Sequence, residues 1–303
     1  MSYMNRTLPY INAFGTVDIS TANSVDEALH ISGMDWNVSS KFLYDENGNE
    51  YPNFRANIND STGDLLGIVS DKYSIVQNKE AFEFVNELTS EGFKFEKAGT
   101  FKNGKSIWVM GKFDSEDILG DSIDNNVVFV NSHDGSSGVK VMMTPVRVIC
   151  ANMLNLALKR AERSWTTKHT RSIYSRLEEA KHTLGLVNHY MTELKDEAER
   201  LAYIKITDDK IDEIFDKLFP VDPNNDSERK IKNVSFMKDS FIKCYNEQDI
   251  AQFKGTVYGA INAMSDLISH KQPNRITANY YENSWNNLIN GNHILDGFYK
   301  EFR

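Results

Sequence analysis

The stretch FKFEKAGTFKNGKSIWVMGKFDSEDILGDSIDNNVVFVNSHDGSSGVKVMMT, residues 93–144, decides the fold. Its apolar residues fall in short runs broken at Asn103-Gly104 and Asp134-Gly135, dipeptides that supply the positive φ of tight hairpin turns. The spacing predicts strands over Phe93 to Phe101 and Lys105 to Phe113 around the first turn. Around the second it predicts Asn126 to Asn131 and Val139 to Thr144. Upstream, Asn47-Gly48 marks a further hairpin between Trp36 to Tyr44 and Tyr51 to Ile58, and Asp64 to Ser70 adds a strand. Ala81, Phe82, Val85 and Leu88 stand at helical spacing, so one helix over Asn78 to Leu88 is laid into this sheet. Pro145 has no N–H for a ladder and marks a bulge or a sheet edge.

The second half reads as helices. In Asn152 to Arg163, Leu154, Leu158 and Ala161 fall on one side and Asn155, Lys159 and Arg163 on another. From Ile173 the apolar positions run Leu177, Ala180, Leu184, Val187, Met191, Leu194, Ala198 and Leu201, in alternating steps of 4 and 3. That is a heptad stripe on one face of a long helix. Leu177, Leu184, Met191 and Leu194 would carry its seam, either inside a bundle or between subunits. Gly185 within it costs about 1 kcal/mol relative to Ala. Further helices fit Asp208 to Leu218, Glu228 to Tyr245, Thr256 to His270 and Asn283 to Phe302, with a Pro- and Asn-rich linker at 220–226. The expectation is an α+β fold: an antiparallel N-terminal sheet with one packed helix, then a helical C-terminal half with one long heptad helix. The boundary is placed between 1–167, carrying the basic strand–helix element, and 168–303.

Composition narrows the class. Hydrophobic residues at 40% and aromatics at 11% sustain a core in 303 residues. The first fifteen residues hold no apolar run with a small-residue cleavage site, and no run approaches 18 apolar residues. Neither a secretory leader nor a membrane partner is expected. Cys150 and Cys244, far apart in apolar surroundings, read as reduced thiols, which fits a cytoplasmic protein, in host cytoplasm if viral.

Signatures of nucleotide loops, zinc hydrolases and nucleophile elbows are absent. Glu179 and His182 stand three apart, but a bundle metal site draws on several helices. Ser132, His133, Asp134, Ser136 and Ser137 supply hydrolase residue types, yet neighbours in one tight turn do not reach triad geometry. A Gly/Ser loop of successive N–H groups could instead cradle a phosphate. No catalytic residue, metal or cofactor is expected.

Charge is the stronger lead. Residues 136–176 carry Lys140, Arg147, Lys159, Arg160, Arg163, Lys168, Arg171 and Arg176 against the single acid Glu162, a net of +7 in a chain of −9. An island of this kind is the footprint of a polyanion, the plain alternative being a solvated basic face. Strand, helix and connector would frame one groove, and Trp165 in its middle could stack on an unpaired base or anchor a domain junction.

The runs VVFVNSHDGSSGVKVMMTPVRVICANMLNLAL (127–158) and GTVYGAINAMSDLISH (255–270) resemble a family of phage- and plasmid-like proteins known only as a domain of unknown function. The matching positions are Asp134, Gly135, Gly138, Arg147, Cys150, Asn152 and Leu154, then Gly259, Ala260, Asn262, Ala263 and His270, with Ile149 and Met153 as modest departures. The resemblance extends roughly from Trp36 to the end and implies a mobile-element origin without an agreed activity. In layout alone, three antiparallel strands followed by a basic helix are similar to single-strand annealing recombinases. The leading expectation is a non-enzymatic homo-oligomer that binds single-stranded DNA, with annealing or recombination as the role the layout suggests. The alternative is an interaction factor that occupies a host enzyme or defence complex. An enzyme working through the His133–Asp134 loop is a third reading. Arg147 is further expected near Asp134, because the hairpin folds that segment back.

Overall fold

The computed structural model describes residues 16–147, 164–170, 187–270, 280 and 293–302. Strands lie toward the N-terminus and helices toward the C-terminus, an α+β mix. Two antiparallel sheets form. The larger has the order β1 (Val17–Asp18), β5 (Lys94–Phe101), β6 (Ser106–Ile118), β7 (Asp121–Ser132), β8 (Val139–Arg147) and β9 (Ser164–Thr167). The smaller runs β2 (Val38–Tyr44), β3 (Glu50–Asn59), β4 (Leu65–Ser70).

The pleat sorts the large sheet into two faces. Ile107, Val109, Val127, Phe129, Val139, Val141 and Met143 share one face, as the pairings Val109↔Phe129 and Phe129↔Val141 require. They join one continuous core with α1 (Val25–Ile31), α2 (Asn78–Phe82) and α3 (Val85–Thr89). The same core takes in residues of α4 (Val187–Tyr203), α5 (Asp208–Leu218), α6 (Glu228–Tyr245), α7 (Val257–His270) and α8 (His293–Lys300). The opposite face is buried too: Trp108, Val128, Val130 and Met142 are nearly inaccessible. Trp108 stacks beside Phe101, and the bare Gly99 lets the indole approach, since a β-carbon there would stand 3.0 Å from it.

Helices α5 and α6 begin at Thr207 and Ser227, whose hydroxyls accept from the N–H of Lys210 and Lys230. Such caps satisfy donors the helix leaves open. The heptad stripe is described from Val187 on. There Val187, Tyr190, Met191, Leu194, Ala198 and Leu201 are all buried in the chain's own core. Leu177 and Leu184 lie outside the described residues, as do Cys150, Glu179, His182 and the helix expected over Asn152 to Arg163. Cys244 is half-buried and in no disulfide.

Several elements differ from the sequence reading. The helix expected over Asn78 to Leu88 is two short helices, broken where Phe84 turns edge-on to Phe129 at 5.6 Å. Strands β6 and β7 run well past Phe113 and begin before Asn126, meeting in a hairpin tip at Leu119 (φ 57°) and Gly120 (φ 81°). β1, α1 and β9 were not expected. Pro145 pairs with Asn125 on one side, while β9 reaches only to Met142. The proline therefore lies on a stretch of β8 with a named partner strand on one side alone, where a missing N–H costs no ladder bond.

Candidate functional site

The small sheet seats one face on the turn between β7 and β8. Asn57 Nδ2 donates to the His133 carbonyl at 2.8 Å. Gly67 lies so close that a β-carbon would stand 2.5 Å from Asp134 Cα, so glycine's missing side chain makes the approach possible. This seating brings the end of β4 and the loop after it to the start of β8. Between them is a cavity of about 540 Å³, lined by Ser70, Lys72 and Tyr73 from one side. Gly135–Gly138, Lys140, Thr166 and Lys168–Thr170 line it from the other.

Among the described residues, Lys72, Lys140 and Lys168 line this space and no carboxylate does. Lys72 and Lys168 are exposed.

The turn itself is not a phosphate cradle. The Ser136 N–H donates to Asp134 Oδ1 at 2.9 Å, the Ser136 hydroxyl donates to the same oxygen, and the Ser137 N–H donates to Ser132 Oγ at 3.1 Å. The donors of Ser136 and the N–H of Ser137 are spent closing the turn. Nor is it a triad: Asp134 holds Ser136, while the fully buried His133 ring bonds Asn78 and sits edge-on to Trp36 at 5.4 Å.

One wall of the cavity is a stacked pair, Tyr73 on His169, with ring centroids 4.6 Å apart and planes 13° from parallel. The Tyr73 hydroxyl donates to the Ser132 carbonyl at 2.6 Å, and burial aided by Asp134 pushes its pKa up. His169 Nδ1 lies 3.1 Å from the Ser74 carbonyl, which only accepts, so Nδ1 carries the proton and Nε2 is a bare lone pair. Burial pushes His169 down to about 4. His133 is likewise pushed down to about 3, by burial first and by its neighbour His169 second. Asn78 Nδ2 donates to the Met34 and Trp36 carbonyls, which turns Asn78 Oδ1 toward His133 Nε2 and makes that nitrogen the donor. Both imidazoles are therefore neutral at pH 7.

Of the expected basic residues, Lys140 and Lys168 come together here. Arg147 does not. It pairs with Ile123 at the far end of β8 from the turn, about 27 Å away at the usual strand rise, so it makes no direct pair with Asp134. An antiparallel hairpin returns a strand to the turn's start only at its near end. Trp165 faces Val141 across β8–β9 and packs against the core, whereas Lys140 and Thr166 pair on the other side of the sheet. The pleat therefore separates the indole from the lysines. Lys159, Arg160, Arg163, Arg171 and Arg176 lie outside the described residues. Lys72, Tyr73 and His169 were missed, because only the seating of the small sheet carries Lys72 to the island. Among the described residues, no cluster of three metal-ligating side chains forms and no helix is long and apolar enough to cross a membrane.

No curated protein and no solved structure matches the chain. Residues 65–287, which hold β4, the large sheet from β5 to β9 and helices α4 to α7, match the family described as Domain of unknown function, DUF932. With about three quarters of its length inside that match, the chain belongs to the DUF932 family.

Proposed function

We propose that the chain binds single-stranded DNA through the lysine-lined cavity. The observation that carries this reading is the convergence of Lys72, Lys140 and Lys168 on one space where no described residue adds a lining carboxylate, in a chain of net charge −9. Acidic surface elsewhere disfavours unspecific contact with nucleic acid, while converging ammoniums attract phosphate at short range. A phage or plasmid origin, action in the cytoplasm and a strand-annealing role are the finer parts of the proposal, and the last of them rests on the antiparallel layout. Self-association would not use Met191 or Leu194, which the chain's own core covers. Anisotropy of a labelled oligothymidylate tests the reading, comparing wild type with a triple Lys72→Glu, Lys140→Glu, Lys168→Glu variant. Wild-type binding should weaken steeply with salt, and the variant should not bind. Equal binding by both at low salt would reject the proposal.

A second reading, a protein-interaction factor, is favoured by a different surface. Phe54, Leu65 and Ile68 are each 50–56% exposed and share one face of the small sheet, as the pairings Ala56↔Ile68 and Ile58↔Leu65 require. Clustered exposed apolar residues of this size mark protein-facing surfaces. Co-purified protein lost on Phe54→Ser with Ile68→Ser, with no change in oligonucleotide binding, would favour this second reading.

A further inference from the structure

Resting on the nucleic-acid reading above, we infer that the cavity takes a phosphate monoester: the terminal phosphate of a strand, or of a free nucleotide, and not a phosphodiester within a strand. The first ground is shape. The lysines come from three separate segments, the loop after β4, the start of β8 and the residue after β9, and they close on one space. A surface that tracks a backbone would set its cations in a row along a groove. The volume, about 540 Å³, falls within the range of sites that hold one small molecule, roughly 300–1,000 Å³.

The second ground is the kind of donor. The N–H groups of Ser136 and Ser137 are already bonded within the turn, so they cannot read the oxygens of a diester. Recognition falls to ammonium groups, which act as point charges. Their attraction scales with the ligand's charge, and a monoester carries about −1.5 to −2 at pH 7 against −1 for a diester. The third ground is the wall. Tyr73 and His169 stack as neutral rings, and among the described residues no lining carboxylate opposes the added negative charge.

The test uses the full chain and four probes: an oligothymidylate with a 5′-phosphate, the same strand with a 3′-phosphate, the same strand with hydroxyl ends, and thymidine 5′-monophosphate. At least one phosphorylated strand should bind about tenfold tighter than the hydroxyl-ended strand. Lys72→Ala or Lys168→Ala should erase that difference, and both side chains are exposed, so the variants should fold. Competition by the free monophosphate assigns the site to a mononucleotide, and its failure to compete assigns the site to a strand end. Equal affinity for all three strands overturns this inference and leaves the single-strand reading standing. Binding of the monophosphate without any strand upholds the inference and removes that reading. No binding of any probe overturns both.

Discussion

The two sheets are built from similar hairpins and live in different environments. In β7 every residue from Val127 to Ser132 is buried, because the large sheet is covered on both faces. In the small sheet only one face is covered, and Phe54, Leu65 and Ile68 keep half their surface in solvent. The large sheet is therefore a scaffold whose residues are fixed by packing. The small sheet is an attachment, held by a few close approaches to the 133–135 turn. The cavity lies on the seam between them, so its shape depends on the attachment while its foundation depends on the scaffold.

The sharpest way to break this comparison is to truncate one phenylalanine in each sheet. Phe129 is fully buried, with Phe84 and Phe93 at 5.6 and 5.8 Å, and Phe129→Ala should cost about 3–5 kcal/mol in urea unfolding. Phe54→Ala, at a half-exposed site, should cost less than about 1 kcal/mol. Equal losses would mean that the outer face of the small sheet is covered in solution. A smaller effect is expected from Gly67→Ala, whose methyl would meet Asp134 at 2.5 Å and lift the small sheet from its seat. Overpacking of this kind costs about 1–3 kcal/mol, and it should weaken oligonucleotide binding where Phe54→Ala does not. Unchanged binding by a folded Gly67→Ala would detach the cavity from the seating.

A further effect concerns acid. Burial holds His133 and His169 neutral in the folded chain, down to about 3 and about 4, against 6.5 as the ordinary value. Below pH 6.5 the unfolded chain binds protons that the folded chain refuses. Stability is therefore complete above that pH and declines as pH falls, by up to about 1.4 kcal/mol per pH unit for each histidine. Thermal unfolding between pH 6.5 and 5 should show the decline, and His169→Gln should reduce its slope. An unaltered slope in that variant would indicate an imidazole already charged in the fold.

The sequence was most legible where one local signal sufficed. Helices α5 and α6 were read to their terminal residues because Thr207 and Ser227 cap uniform helical spacing. Hairpins at Asn47-Gly48, Asn103-Gly104 and Asp134-Gly135 were legible from their turn dipeptides. The β6–β7 tip was not, since it places a leucine, Leu119, in the left-handed region and its arms are polar. Four residues of β9 inside a basic connector carry too short a pattern to be read. The cavity was half legible: Lys140 and Lys168 stand in the basic island, whereas Lys72 arrives by a tertiary contact that no local spacing encodes. Trp165 was placed with the bases by proximity along the chain, and the alternation of the pleat put it on the other side.

That alternation also bears on which lengths of this segment a lineage can keep. Lys140 faces the cavity and Val141 the core only because the count from Gly138 is what it is, and Gly138 itself is pressed against Thr167, where a β-carbon would come within 1.9 Å of the carbonyl oxygen. One residue inserted or deleted between positions 138 and 140 would exchange the two faces, burying an ammonium and turning a valine to the cavity. Homologous chains that retain the cavity should therefore vary here by substitution and hold the number of residues constant, while the exposed turn at Asn47-Gly48 is free to lengthen or shorten.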